Sequence, residues 1–210
     1  MFFLHGWKSK RKRSSRYAQI ISKRGYICLT YDMRSHGESD GDRSLLSRQD
    51  YLNDAIAAYD FLKNQPGVDP EQICVVGSSF GSYLATLLSA ERNVAALVLR
   101  APSNYPDEGF TLPQPRYASG KSTEWRKKKL SYRQAKALYA LHNFAGKVYI
   151  IQSEHDELVP PQTIDNYIDA IADKAKLTKN VMLGADHSIQ KDSDQNTYIQ
   201  LLLDWFSNKV

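Results

Sequence analysis

The chain has 210 residues, of which 42% are hydrophobic and 24% charged, and it carries a formal net charge of +5. That length suits one domain with a single core. The composition is ordinary for a soluble globular protein, and no apolar run approaches the roughly 18–20 residues a membrane span requires. Met1-Phe2-Phe3-Leu4 opens the chain as a short apolar segment; it is too short for an export signal and has no charged stretch before it. After His5-Gly6-Trp7, Ser14 or Ser15 is placed to cap a helix with Tyr17, Ile20 and Ile21 on one face, ending near Gly25. Tyr26 to Tyr31 reads as a strand. A second helix is expected from about Arg48 to Leu62, where Leu52, Ala55, Ile56, Tyr59 and Leu62 recur at helical spacing before Pro66-Gly67 stops it.

Ile73 to Val76 reads as a buried strand, and Tyr83 to Leu88 as the helix that follows it. Ala95 to Leu99 is the next strand. Two more are expected at 147–152 and 179–183, with helices from about Thr163 to Ala172 and from Thr197 to Ser207. Strands alternating with helices imply a parallel sheet covered on both faces, a three-layer α/β/α sandwich of about six mostly parallel strands. Residues 101–140 break the rhythm with Pro102, Pro106, Pro113 and Pro115, and with Tyr105, Phe110, Tyr117, Trp125 and Tyr132. A long interruption of this kind in a compact domain is expected to be a small cap over the site, the other reading being a surface loop whose aromatics pack down.

Between the strand at 73–76 and its helix lies Gly77-Ser78-Ser79-Phe80-Gly81. A G-x-S-x-G turn in that setting lifts a serine hydroxyl into an active site, because the sharp, strained strand-to-helix turn tolerates only small flanking residues. Serine needs a base to take its proton and an acid to orient that base. Of the five histidines, His187 lies where an apolar strand at 181–183 runs into a glycine-containing loop, and Asp156 lies at the exit of the strand at 148–151. Ser79, Asp156 and His187 therefore form the candidate catalytic set. Glu154 is a second candidate for the acid. His5 and His36, beside glycine turns, are expected to brace loops, and His142 and His155 to be exposed loop residues; Asp186 is expected to point away from the base.

The chain order Ser79, Asp156, His187 is that of the α/β-hydrolases, and at this point the sequence resembles that superfamily along nearly its whole length. His5-Gly6-Trp7 resembles the oxyanion loop after the third strand, and Asp32-Met33-Arg34-Ser35-His36-Gly37-Glu38-Ser39 resembles the D-x-R-G-H-G-x-S segment. Asp156 to Pro160 and Gly184 to Ser188 resemble the acid and base segments. The resemblance implies one α/β-hydrolase domain over 1–210 with a cap-like insertion at about 101–140. Met1 to Leu4 is then the third strand of the usual eight, the first two being missing, either truly absent or lost by truncation or a mis-set start. Ser35 and Ser82 depart from the glycines many relatives carry, which bears on loop shape and not on the candidate set.

Within that resemblance, Ser79 attacks an acyl carbonyl, His187 takes its proton, Asp156 holds the imidazole, and the backbone N–H groups of Trp7 and Phe80 form the oxyanion hole. The chain looks most similar to small bacterial esterases of the cinnamoyl or feruloyl type, which implies a small-molecule ester substrate and no metal or other cofactor. Acylaminoacyl peptidase-like or thioesterase activity, and a non-catalytic binding relative, are the alternatives.

Charge is unevenly spread. Residues 1–31 hold eight Lys and Arg and no acidic residue, and Arg126-Lys127-Lys128-Lys129 is a second cluster. Both read as solvated surface in preference to an anion-attracting site, and no nucleic-acid partner is expected because stacking aromatics are not interleaved. Cys28 and Cys74 fall in predicted buried strands, and the strand order that the resemblance implies places another strand between them, nearly 10 Å apart and beyond disulfide reach. Free core thiols fit a cytoplasmic location. Nothing in the sequence fixes an oligomeric state.

Overall fold

The computed structural model describes residues 1–113 and 121–209. Six strands form one sheet: β1 (Phe2–Leu4), β2 (Leu29–Thr30), β3 (Cys74–Ser78), β4 (Ala96–Arg100), β5 (Lys147–His155) and β6 (Leu177–Asp186). Their order is β2-β1-β3-β4-β5-β6, and every neighbouring pair is parallel. Parallel strands need crossovers, supplied by α1 (Arg11–Ser22), α2 (Arg48–Lys63), α3 (Phe80–Glu91), the short α4 (Lys121–Arg126) and α5 (Lys136–His142), and α6 (Pro161–Ala170); α7 (Asp192–Lys209) follows β6.

Side-chain alternation divides the core in two. Phe2, Leu4, Val75, Leu97, Leu99, Val148 and Ile150 face α2, α3, α5 and α6. The residues between them, including Phe3, Cys74, Val76, Val98, Tyr149 and Ile151, face α1 and α7. This is the expected three-layer sandwich. Leu97, Val98, Leu99 and Ile150 are fully buried, and each such side chain contributes roughly 1.5–3 kcal/mol relative to exposure.

Several boundaries differ from the sequence reading. α1 begins at Arg11, and Ser14 lies inside it rather than capping it. The cap comes from elsewhere: Asp32 accepts the Arg11 N–H at 2.6 Å, placing a carboxylate at the positive end of the helix. The strand expected at 26–31 shrinks to Leu29–Thr30, so Cys28 precedes it and is only half-buried, whereas Cys74 is buried; both are free thiols. α2 is capped by a box the sequence reading did not single out, the Ser47 side chain and Asp50 exchanging hydrogen bonds. α4 and α5 lie within residues read as irregular. Pro115 and Tyr117 of the expected insertion lie outside the described residues.

Candidate active site

The turn after β3 is built by close approach. A Cβ on Gly77 would come within 2.5 Å of the Gly81 carbonyl oxygen, and one on Gly81 within 2.0 Å of the Leu4 carbonyl oxygen. Both positions therefore require glycine, so that α3 can start against β1. Ser79 sits at φ 53°, ψ −113°, a backbone region that costs of order 1–3 kcal/mol and persists only where the surroundings impose it. Two backbone bonds do so here: the Ser79 N–H donates to Arg100 O at 2.8 Å, and the Ser103 N–H donates to Ser79 O at 3.3 Å.

Strand register places the other two groups. β5 and β6 run past the end of β4, and His155 pairs with Asp186 after a register shift between Ser153 and His155. The next residues, Asp156 and His187, consequently emerge side by side. His187 Nδ1 lies 2.8 Å from each Asp156 carboxylate oxygen, and Nε2 lies 3.0 Å from Ser79 Oγ. Ser103 Oγ is 3.2 Å from the same hydroxyl. Burial opposes ionisation of Asp156, but the bond and charge of His187 and the N–H groups of Val159 and Leu158 outweigh it and hold the carboxyl below its usual range.

The loop of His187 is clamped on both sides. Asp186 turns away from the base, as expected, and accepts the Ile189 N–H at 2.6 Å; Ile189 has φ 41°, an outlier for a β-branched residue. Arg100, 3% exposed at the end of β4, donates to the His187 carbonyl at 2.9 Å and to Ser78 Oγ at 3.0 and 2.5 Å. It thereby ties the turn at Ser79 to the loop of His187 across the sheet. No motif announced Arg100; an arginine ending a strand otherwise made of Ala, Leu and Val was its one signal in the sequence.

Trp7 and Phe80 flank Ser79. Phe80 opens α3, where the first N–H groups lack partners one turn back. A Cβ on Gly6 would lie 3.4 Å from the Ser79 Cβ, so the Gly6-Trp7 backbone runs against the turn. The two rings meet edge to face at 5.2 Å. His5 braces this loop: its Nδ1–H donates to Gly6 O at 2.9 Å, and Nε2 accepts the Met33 N–H at 3.1 Å. Burial pushes its pKa down to about 4. His36 contacts Arg34 O through Nδ1. Ser35 adopts φ 61°, the left-handed backbone that explains why glycine suits this position. Ser82 is fully buried in α3 and donates to Arg100 O at 3.0 Å, so the departure there leaves the turn intact.

Glu154 does not reach the base; it accepts the Gly184 N–H at 2.7 Å and pairs with exposed His155. His142 is not an exposed loop residue: it ends α5, stacks on Tyr132 at 3.7 Å and lies 3.0 Å from Ala170 O through Nδ1. Beside Ser79 opens a cavity of about 650 Å³ whose wall includes Trp7, Arg13, Arg100, Tyr105, Arg126 and Leu158. The insertion supplies part of this wall and is held from two sides. Arg48 of α2 donates to Pro106 O and Glu108 O at 2.6 and 2.9 Å, and Thr163 and Asn166 of α6 donate to Arg126 O and Lys128 O, both at 2.9 Å. Among the described residues no cluster of three or more His, Cys, Asp or Glu has metal-binding geometry.

Comparison with solved structures returns the same fold. Est1E from Butyrivibrio proteoclasticus, with ferulic acid bound, superposes with a TM-score of 0.77 at 17% identity, covering 99% of this chain and 88% of that one. A structure described with the metagenome-derived lipolytic enzymes LipS and LipT gives 0.74 at 16%, covering 97% and 91%. Among curated sequences, the quorum-quenching protein AidA of Acinetobacter baumannii is 33% identical over 97 residues, 45% of this chain and 32% of that protein. The polyketide transferase claH of Penicillium crustosum is 40% identical over 85 residues, 40% of this chain and 26% of that protein. These alignments thus span a third or less of each curated relative. The sequence model of the prolyl oligopeptidase family matches residues 12–210, and the chain belongs to that family, with the α/β-hydrolase fold described above.

Proposed function

We propose that the protein is a serine hydrolase that cleaves carboxylic esters through an acyl-enzyme on Ser79. The observation that carries this reading is the continuous path from Ser79 Oγ to His187 Nε2 at 3.0 Å and from Nδ1 to Asp156 at 2.8 Å. In the mechanism His187 takes the hydroxyl proton as Ser79 attacks the acyl carbon, and Asp156 fixes the tautomer and stabilises the imidazolium. The N–H groups of Phe80 and Trp7 receive the negative charge that develops on the carbonyl oxygen, an interaction worth roughly 3–4 kcal/mol per donor. His187 then returns the proton to the leaving alcohol, and water, deprotonated by the same base, releases the acid. The insertion at about 101–140 acts as a small cap that helps close the cavity.

Ester chemistry is favoured by the neighbours: ferulic acid is bound in Est1E, and LipS and LipT are lipolytic. Amide cleavage is the second reading, favoured by the match to the prolyl oligopeptidase family. No helix among the described residues is long and apolar enough to cross a membrane, and the two free thiols support a cytoplasmic setting. The test is labelling with a fluorophosphonate probe together with turnover of short p-nitrophenyl esters and the matching anilides. Both labelling and ester turnover are expected in the native protein and neither in Ser79→Ala. Labelling that survives the substitution would assign the chemistry to another serine, and faster anilide than ester turnover would select the peptidase reading.

A further inference from the structure

The wall of the cavity beside Ser79 holds Lys8, Arg13, Arg48, Arg100 and Arg126 against the single carboxylate of Glu157. The bonds that Arg13, Arg100 and Arg126 make among the described residues go to groups that do not neutralise them. Arg13 donates to Ser188 O at 2.5 Å, Arg100 to Ser78 Oγ and His187 O, and Arg126 to Asn104 O at 2.9 Å, all uncharged oxygens. Among the described residues, Lys8, Arg13, Arg100 and Arg126 form no ion pair. Arg13 and Arg100 are near enough to repel each other, and the carboxylate that partly offsets Arg100, Asp156, is already engaged by His187. Beside them the Tyr17 hydroxyl is buried without a hydrogen-bond partner among the described residues.

A second observation extends this field outward. A shallow depression of about 440 Å³ shares Lys8, Ser9 and Arg13 with the cavity and adds Lys10, Lys12 and Arg16, with no carboxylate in its wall. Of these, Arg16 is paired, with Asp192 at 2.8 Å. The N-terminal basic run, read from sequence as plain solvated surface, thus leads into the site, and Arg13 stands at the junction. Uncompensated cations around a partly desolvated cleft concentrate anions and are costly to leave without one.

We propose that the substrate of Ser79 carries a negatively charged group, a carboxylate or phosphate, which Arg13 binds at the mouth of the cavity within the field of Arg100. This deepens the hydrolase reading and rests on it for the chemistry, though not for the binding. Arg13 is a specificity residue in this scheme and takes no part in proton transfer.

The test compares 4-nitrophenyl butyrate with mono-4-nitrophenyl glutarate, whose acyl part bears the carboxylate, and 4-nitrophenyl acetate with 4-acetoxybenzoate, whose leaving group bears it. At low salt kcat/KM is expected to be at least tenfold higher for the charged member of one pair, through KM, and which pair responds tells where the anion belongs. The preference is expected to shrink in 0.5 M NaCl, to fall about tenfold in Arg13→Gln and to persist largely in Arg13→Lys. No preference in the native protein, or one unchanged in Arg13→Gln, overturns the inference while leaving neutral-ester hydrolysis standing. If no ester turns over, calorimetric titration of glutarate and of inorganic phosphate decides: saturable binding in the native chain that is lost in Arg13→Gln sustains the anion site without the esterase, and its absence removes both.

Discussion

The floor and the roof of the cavity are held by different physics. The floor, made by the turn at Ser79 and the loops after β5 and β6, is fixed by backbone: two glycines with no room for a Cβ, a serine in strained geometry, and a strand register that delivers Asp156 and His187 to adjacent positions. The roof, the cap we propose at about 101–140, is fixed among its described residues by side chains reaching carbonyl oxygens, above all those of Arg48, Thr163 and Asn166. Backbone constraints place atoms to within a fraction of an ångström, as proton transfer requires, whereas side-chain tethers tolerate the sequence variation that a specificity wall needs.

The comparison breaks most sharply at Ser79, the proposed nucleophile. Ser79→Ala is expected to lower kcat for ester turnover on the order of 10⁴- to 10⁶-fold, while circular dichroism and the thermal midpoint stay near those of the native chain, because the turn keeps its glycines. A large loss of stability alongside the loss of activity would show that the hydroxyl has a structural role in the floor. The next largest effect falls on backbone packing. In Gly81→Ala the new Cβ meets the Leu4 carbonyl at 2.0 Å, backbone against backbone, and more than about 4 kcal/mol of destabilisation is expected. Gly184→Ala is the control: its φ of 70° is strained for alanine, but nothing lies within 4 Å, so roughly 1–2 kcal/mol is expected in urea unfolding. Equal losses at the two sites would refute the view that close approach sets the turn.

These contrasts also explain what the sequence could and could not reveal. The floor was legible because its constraints are local: a glycine pair at fixed spacing, apolar strands with polar exits, and histidine and aspartate at those exits. The alternation of strands and helices was read from such signals, and so were the candidates Ser79, Asp156 and His187. What escaped depends on partners distant in the chain. Asp32 caps α1 from 21 residues away, which no N-cap rule applied to Ser14 can detect. Arg100 joins Ser78 to His187, 22 and 87 residues from it, and Arg48 reaches 58 residues to the insertion. The helices at Lys121–Arg126 and Lys136–His142 were hidden for a related reason. Each has seven residues or fewer, and such short helices are held by tertiary contacts more than by periodicity.

The roof is sharpened by Arg48→Met, which keeps the length and the apolar stem of the side chain but removes its bonds to Pro106 O and Glu108 O. Hydrogen bonds to a charged group contribute about 1.5–3 kcal/mol, and that energy holds the insertion. KM is therefore expected to rise several-fold, with kcat changing less and proteolysis within 101–140 becoming faster. A fall in kcat with KM unmoved would mean that the tether acts on the floor, contrary to the division drawn above.

A last contrast is drawn by pH and lies within the floor. His5 lies beneath Gly6-Trp7 with its Nε2 accepting from Met33 and its pKa pushed down to about 4 by burial, while in the unfolded chain a histidine titrates near 6.5. Between those values the unfolded state binds the additional proton, so stability falls as pH falls, by roughly 1.4 kcal/mol per pH unit from this residue alone. Its full contribution is present above about 6.5 and is lost on descending to about 4. Asp156, whose folded pKa is lowered, acts in a different window: its contribution is present above the unfolded carboxyl value near 3.9 and is lost only as pH drops further. A urea-midpoint series from pH 7.5 to 4 is expected to slope downward in the native chain and to flatten in His5→Gln, whose amide can serve Gly6 and Met33 without titrating. A native series flat across that range would show that the loop at Gly6-Trp7 admits water and relaxes to accommodate the imidazolium, leaving the floor less rigid than its glycines require.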